Sequence, residues 1–277
     1  VHTLILYLSR VPLPLLHALG WLLGWLSFAA SPMYRRRFLA HVAQAGYRWT
    51  QVRGAVGEAG KLVLELPRLW LGAPVPLQWV GSPCIDEAHR SGRGLLFLTP
   101  HMGCFEVTAQ GYARRYGPQH GAITVLYRPP RKIWLRRLVE WARPRPGLAT
   151  APATLRGVRQ MLAALKAGQA VGLLPDQVPP YGLGVNAPFF GRSAYTMTLG
   201  ARLAQQTGAA VLLAWGERLP WGRGYRIHVQ PLDVALSADS VLAATQLNAC
   251  MEGLIRSCPQ QYLWGYARYK LPVAAAT

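Results

Sequence analysis

Leu95-Leu96-Phe97-Leu98-Thr99-Pro100-His101-Met102-Gly103-Cys104-Phe105-Glu106 is the stretch on which the fold turns. Its apolar run reads as a buried strand, and Pro100 and Gly103 mark the turn that closes it. Glu106 then falls in the first turn of the following helix. A histidine so placed stands at a strand's end, where backbone holds a base against a cleft. The chain carries eleven Asp plus Glu against thirty Lys plus Arg. A carboxylate five positions after that histidine is therefore poorly explained as a surface solubiliser.

Outward from this stretch, strand and helix patterns alternate. Strands are expected at 95–98, 123–127, 171–174, 210–215 and 225–229, and helices at 133–142, 154–166, 194–206 and 238–256. Leu155, Val158, Leu162 and Leu165 share one face of the second helix. Such alternation predicts an α/β sheet covered by helices, with its active site where strands end. His101, Arg128 and Asp176 each follow a predicted strand by one to three residues.

On the N-terminal side, no Asp, Glu, Lys or Arg occurs from residue 11 to residue 33. Residues 13–30 alone would reach about 27 Å as a helix, close to a bilayer core. Pro12 and Pro14 suit its start, and Arg35, Arg36 and Arg37 follow it, which by the positive-inside rule places the remainder in the cytoplasm. A cleaved signal peptide and a buried core helix are the competing readings, and a basic cluster after the run disfavours the first. The expected organisation is an anchor over 1–34 and a single domain over 35–277. Residues 35–80 make a helical, membrane-proximal lead-in, with 35–71 helical and Pro74, Pro76 and Pro83 ending it.

The formal net charge of +19 calls for an anionic partner: nucleic acid, a membrane surface, an acidic protein or a phosphorylated substrate. A composition 51% hydrophobic with ten Trp favours the membrane interface over a solvated nucleic-acid binder. There each basic side chain contributes roughly 1 kcal/mol of attraction. Cys84, Cys104, Cys250 and Cys258 form no C-x-x-C pair, so neither a disulfide framework nor a zinc site is expected. Gly182-x-Gly184 lacks the spacing of a dinucleotide loop, and no cofactor or metal is expected.

A lone histidine after a strand is more often structural than catalytic, and Glu106 alters that weighting. Folding back from the helix, its carboxylate would fix one imidazole nitrogen and leave the other as a base. No G-x-S-x-G elbow is present, and Cys104 reads as a packing residue more readily than as a nucleophile. A substrate hydroxyl would then be activated directly. Arg128 has two readings, a clamp on phosphate or carbonyl oxygen and an ion pair with Asp176. The cluster of Arg131 and Lys132 with Arg136 and Arg137 is either a solvated helix face or a dock for an acidic protein or lipid phosphate.

His101 and Glu106 match the H-x-x-x-x-D/E motif of the glycerolipid acyltransferase superfamily. Leu126-Tyr127-Arg128-Pro129, Leu174-Pro175-Asp176-Gln177, Pro188-Phe189-Phe190-Gly191, a helix start at Thr196-Met197 and Pro259-Gln260-Gln261-Tyr262-Leu263-Trp264 extend the match. Taken together the chain, anchor included, resembles the lipid A late acyltransferases of Gram-negative bacteria. The resemblance implies a mixed central sheet flanked by helices. It also implies transfer of a fatty acyl chain from acyl-acyl carrier protein to a hydroxyl of a glycolipid acceptor at the cytoplasmic face of the inner membrane, with no nucleic-acid partner. His101 would be the base and Glu106 its partner, with Arg128, Arg131, Asp176 and Gln177 binding substrate. A lysophospholipid, an ornithine-type lipid or a mannosylated phosphoinositide is the alternative acceptor, and a non-catalytic basic binding protein the alternative outside catalysis. The chain departs from the family at Gln260, where a glutamate is usual, which leaves open a supporting contact made by that residue.

Overall fold

Apolar runs and the prolines and glycines between them set where the elements fall in the computed structural model, which describes residues 2–130 and 132–273. The first quarter is helical, with α1 (His2–Arg10), α2 (Leu13–Ala30), α3 (Pro32–Gln44), α4 (Trp49–Val52) and α5 (Gly54–Leu71). There follow β1 (Leu77–Val80), α6 (Pro83–Arg90), β2 (Leu95–Leu98), α7 (Phe105–Arg115), α8 (Gly117–His120) and β3 (Ile123–Tyr127). The middle of the chain supplies α9 (Ile133–Ala142), β4 (Leu148–Pro152), α10 (Leu155–Lys166) and β5 (Ala170–Leu173). The last part runs through β6 (Gly184–Phe189), β7 (Arg192–Met197), α11 (Leu199–Thr207), β8 (Ala210–Arg218), β9 (Tyr225–Pro231) and α12 (Ser240–Ser257).

Seven strands join in the order β1-β9-β8-β2-β5-β3-β4, while β6 and β7 form a separate antiparallel hairpin. All neighbours in the large sheet are parallel except β8 and β9, so the sheet is mixed, as expected. β2 and β5 lie inside it and are buried at every residue, which is why their sequences are continuous apolar runs without alternation. One face of the sheet packs against α6 and α7 through Ile85, Val107, Tyr112 and Ala113. The other is covered by α10, α11 and α12 through Met161, Leu165, Leu203, Leu247 and Met251.

Two expectations about helices are corrected. Residues 194–197 belong to strand β7, so the helix expected to start at Thr196-Met197 begins only at Leu199. Ala194 and Thr196 point inward on alternate positions, and the Thr196 hydroxyl meets the buried Asn248 and Arg268 side chains, which fixes a period of two. The expected continuous helix over 35–71 is broken after Gln44, where Gly46 takes a φ of +81°.

The helix expected as an anchor is present with the expected bounds, and one side of it packs against α5. Gly20 and Gly24 of α2 face Gly57 and Gly60 of α5, and a Cβ on Gly60 would lie 2.0 Å from the Gly20 carbonyl oxygen. Small residues here let two backbones approach closely. On its other side α2 exposes Leu15, Leu19, Leu22 and Leu26. At the end of α2, Arg35 donates to the free carbonyls of Phe28 and Ala29.

A fully buried carboxylate ties this helical pair to the sheet. Glu65 of α5 accepts two hydrogen bonds from Arg218 at the end of β8, at 2.6 and 2.9 Å, and one from the Tyr225 hydroxyl at 2.9 Å. His17 of α2 adds a contact of 3.1 Å, and Glu58 stands 3.3 Å from Arg218. Burial by itself would raise the Glu65 pKa, but the Arg218 charge and the bonds from His17 and Arg218 outweigh it and lower the value to about 2.

Candidate active site

Strand register builds the centre of the site. Leu98 of β2 pairs with Leu173 of β5, so the residues three steps beyond each, His101 and Asp176, leave the sheet side by side. The Asp176 carboxylate takes both donors that this arrangement offers. Its Oδ2 accepts from the His101 backbone N–H at 2.9 Å, and its Oδ1 from imidazole Nδ1 at 2.7 Å. Asp176 is 1% exposed. Burial works against its charge, yet the imidazole and the two hydrogen bonds prevail and hold its pKa below the ordinary carboxylate value. With Nδ1 committed as donor, Nε2 is left as the acceptor nitrogen.

The loop carrying His101 is braced from behind. Leu263 N–H donates to the His101 carbonyl at 3.1 Å, Gly103 N–H to the Gln261 carbonyl at 2.8 Å, and Cys104 N–H to the Gly216 carbonyl at 2.7 Å. Gly103 needs to be glycine: its φ is +53°, and a Cβ there would lie 2.0 Å from the Gly216 oxygen. The Gln261 side chain bonds both the N–H and the carbonyl of Arg218. The residue at which the chain departs from the family, Gln260, is exposed, so the brace rests on its neighbour.

Glu106 has a different partner from the one expected. Its oxygens are taken by Arg143, at 2.9 and 3.3 Å, and by the Trp70 indole N–H at 3.2 Å. A guanidinium offers two parallel donors and a full positive charge, which a neutral imidazole cannot match. The carboxylate that orients His101 is Asp176. Glu106 instead fixes Arg143, whose guanidinium also lies 5.3 Å over the Tyr127 ring.

His101, Glu106, Arg128, Arg143 and Gln177 all line one cavity of about 850 Å³, toward the upper end of the ~300–1,000 Å³ range of ligand pockets. Arg128 is exposed at this cavity and has no carboxylate at ion-pair distance among the described residues. The ion pair with Asp176, one of its two readings, is not formed, because both Asp176 oxygens serve His101. Arg131 lies outside the described residues. Cys104 is buried, and that burial, reinforced by Glu65, pushes its thiol well above its ordinary pKa, which leaves no thiolate for attack. Sequence reasoning missed Arg143 and Trp70. Arg143 is one arginine among thirty basic residues, and its one local signal is its place just after a helix and before Pro144.

The geometry can be set beside known proteins. A family model described as bacterial lipid A biosynthesis acyltransferase matches residues 65–271. The lipid A biosynthesis palmitoleoyltransferase of Escherichia coli (strain K12) is 33% identical over 283 aligned positions, covering 94% of this chain and 87% of that protein. The lipid A biosynthesis lauroyltransferase of the same strain is 28% identical over 193 positions, 69% of this chain, and the match spans only 61% of that protein's length. A lipid A biosynthesis acyltransferase of Haemophilus influenzae is 24% identical over 191 positions, 68% of this chain and 57% of that protein.

Proposed function

We propose, from the premise that this chain belongs to the bacterial lipid A biosynthesis acyltransferase family, that it transfers a fatty acyl chain from acyl-acyl carrier protein to a hydroxyl of a lipid A precursor. The observation that carries this reading is the imidazole of His101, pinned through Nδ1 by a buried aspartate beside an 850 Å³ cavity with long apolar walls. A hydroxyl entering that cavity gives its proton to Nε2 as its oxygen attacks the thioester carbonyl. When the C–S bond breaks, the departing thiolate takes the proton from the imidazolium, so the base is regenerated. Asp176 keeps the tautomer and steadies the imidazolium between the two steps. Arg143, held by Glu106 inside the cavity, is the cation we assign to the oxygen that becomes negative in the tetrahedral intermediate. Arg128 and Gln177, also on the cavity wall, and Arg131 are assigned to substrate binding.

The surface supports membrane association. Besides the exposed leucines of α2, Leu4 and Tyr7 of α1 and Trp134 and Trp141 of α9 face outward, and the His2 ring packs 4.9 Å from that of Trp141. Apolar side chains on α1, α2 and α9 suit a lipid interface, and we assign the domain to the cytoplasmic side of the inner membrane.

The test is direct. Purified protein incubated with acyl-acyl carrier protein and a lipid A precursor is expected to add one acyl group, read by mass spectrometry of the lipid. Transfer to a lysophospholipid with none to the precursor would move the function to another acceptor, and no transfer to either would refute it.

Chain-length choice has its own test. Gly172 lies on the cavity floor between strands, and a Cβ there would meet Val125 Cγ1 at 3.2 Å and Ile123 Cδ1 at 3.7 Å. Gly172→Val is expected to shift preference toward shorter acyl donors by about tenfold or more, because methylenes that no longer fit lose their transition-state binding. Competition between donors of graded length measures it, and an unchanged profile would place the acyl chain elsewhere.

A further inference from the structure

The cavity has two unlike halves, and strand alternation separates them. On the α7 face of the sheet it is lined by Phe97, Tyr112, Ile123, Val125, Ile227 and Val229, none more than 7% exposed. This half is enclosed, and the paired side chains of Glu106 and Arg143 are its charged groups among the described residues. On the opposite face the walls come from Leu155 and Val158 of α10 and Leu199 and Leu203 of α11. Here Leu155 is 66% exposed, and the exposed guanidinium-bearing side chains of Arg128 and Arg202 line the same space. The halves join at the strand ends, where Thr99, His101 and Leu174 lie.

The charge of the open half is one-sided. Between Glu140 and Glu217 the chain has a single carboxylate, Asp176, which is buried and spent on His101. Neither Arg128 nor Arg202 has an ion-pair partner among the described residues, and Arg156 and Arg159 add exposed positive charge on α10. An apolar groove with a purely basic rim fits a molecule that joins an apolar chain to an anionic group.

We infer that the open groove between α10 and α11 receives the acceptor, an anionic acyl lipid, with one of its chains against Leu199 and Leu203 and a phosphate at Arg128 and Arg202. The enclosed half is thereby left to the donor's acyl chain. This inference rests on the acyl-transfer reading given above. It follows from the reaction's own demand: two substrates, each bearing a long apolar chain, must bring a carbonyl and a hydroxyl to one imidazole at the same time. A single enclosed slot would hold one chain and shut out the other. Two apolar halves meeting at His101 admit both from different sides of the sheet.

The experiment is steady-state kinetics of the full chain in detergent micelles, with acyl-acyl carrier protein as donor and a phosphorylated lipid A precursor or its dephosphorylated form as acceptor. Arg202→Glu, on an exposed helix position, is expected to raise the KM for the phosphorylated acceptor about tenfold or more. It should leave the KM for the donor as in the wild type and abolish any preference for the phosphorylated form. Leu199→Trp, which fills the groove, is expected to raise the KM for both acceptor forms alike, and thermal unfolding checks that it folds. If Arg202→Glu alone raises the donor KM instead, the groove docks the acidic carrier protein and the inference is wrong. Unchanged KM values for both substrates in Arg202→Glu refute it equally. A wild-type enzyme that acylates neither acceptor refutes the parent reading, and the groove assignment falls with it.

Discussion

His101→Ala is expected to lower kcat for acyl transfer by at least ~10²–10⁴-fold, the usual contribution of a positioned base, and to lower the thermal unfolding midpoint as well, because it strips the buried Asp176 of its imidazole partner, so the rate is read below that midpoint. Asp176→Asn is the sharper version of this experiment. The His101 backbone N–H is a fixed donor and must keep an acceptor, so the single oxygen of the amide is drawn to it. That leaves the amide NH₂ facing Nδ1, where a hydrogen already stands. The imidazole must then switch tautomer, with Nδ1 accepting and Nε2 carrying the proton, and a protonated Nε2 cannot take another from a hydroxyl. A loss of about 10⁴-fold in kcat, with the acceptor KM changed little, is the expected result. The same rate in Asp176→Asn as in the wild type would show that Asp176 does not orient the base. Glu106→Gln gives the contrast, because its first consequence is to loosen Arg143 rather than to turn the imidazole.

Strands β2 and β3 were legible in the sequence to the residue, since a short apolar run closed by Thr-Pro or Arg-Pro has few other readings. The edge strands were not. β1 is only four residues between prolines and glycine, too short for its apolar residues to show a period, and β4 is built mostly of small residues with a final proline, so it carries little hydrophobic signal. The α2 boundaries were legible because charge is absent from that stretch. That one side of it would lie on glycines of α5 was not, because Gly57 and Gly60 read only as weak helix positions until a second backbone is beside them. The site divides in the same way. His101 announced itself through its place after a strand. Its partner did not, because the contact between His101 and Asp176 depends on β2 lying beside β5, and 75 residues separate the two. Glu106 was the nearby carboxylate, and proximity in sequence favoured it. What drew it away is Arg143, 37 residues on, which only the packing of α7 near α9 and α5 brings within reach.

The largest expected loss of stability belongs to the buried pair of Glu65 and Arg218. Arg218→Met removes the charge that holds a fully buried carboxylate ionised, and leaves Glu65 with only His17 and Tyr225 as partners. Breaking one side of a buried ion pair typically costs about 3–5 kcal/mol, a large part of what holds a domain together. The loss should fall heavily on the junction of α2 and α5 with β8. The double variant Glu65→Leu/Arg218→Met is expected to be more stable than the Arg218→Met single, because it removes the stranded charge along with its partner. Acidity gives an independent check with a definite sign. Glu65 titrates at about 2 in the folded chain against an ordinary value of 4.5, so folding favours its charged form. Its contribution is present above about pH 4.5 and is lost as the pH falls toward 2. The wild type should therefore lose stability over that interval. In Arg218→Met, with burial no longer opposed by the guanidinium and His17 the weaker counterweight left, Glu65 takes up its proton at higher pH, and this part of the acid dependence should shrink. Unfolding midpoints of the three proteins across the acid range measure both effects. Equal midpoints for the wild type and Arg218→Met would mean that the pair contributes nothing to the fold. Since the Arg218 backbone is held by the Gln261 side chain, and the Gln261 carbonyl holds Gly103 two residues from His101, the strain of that substitution should also reach kcat.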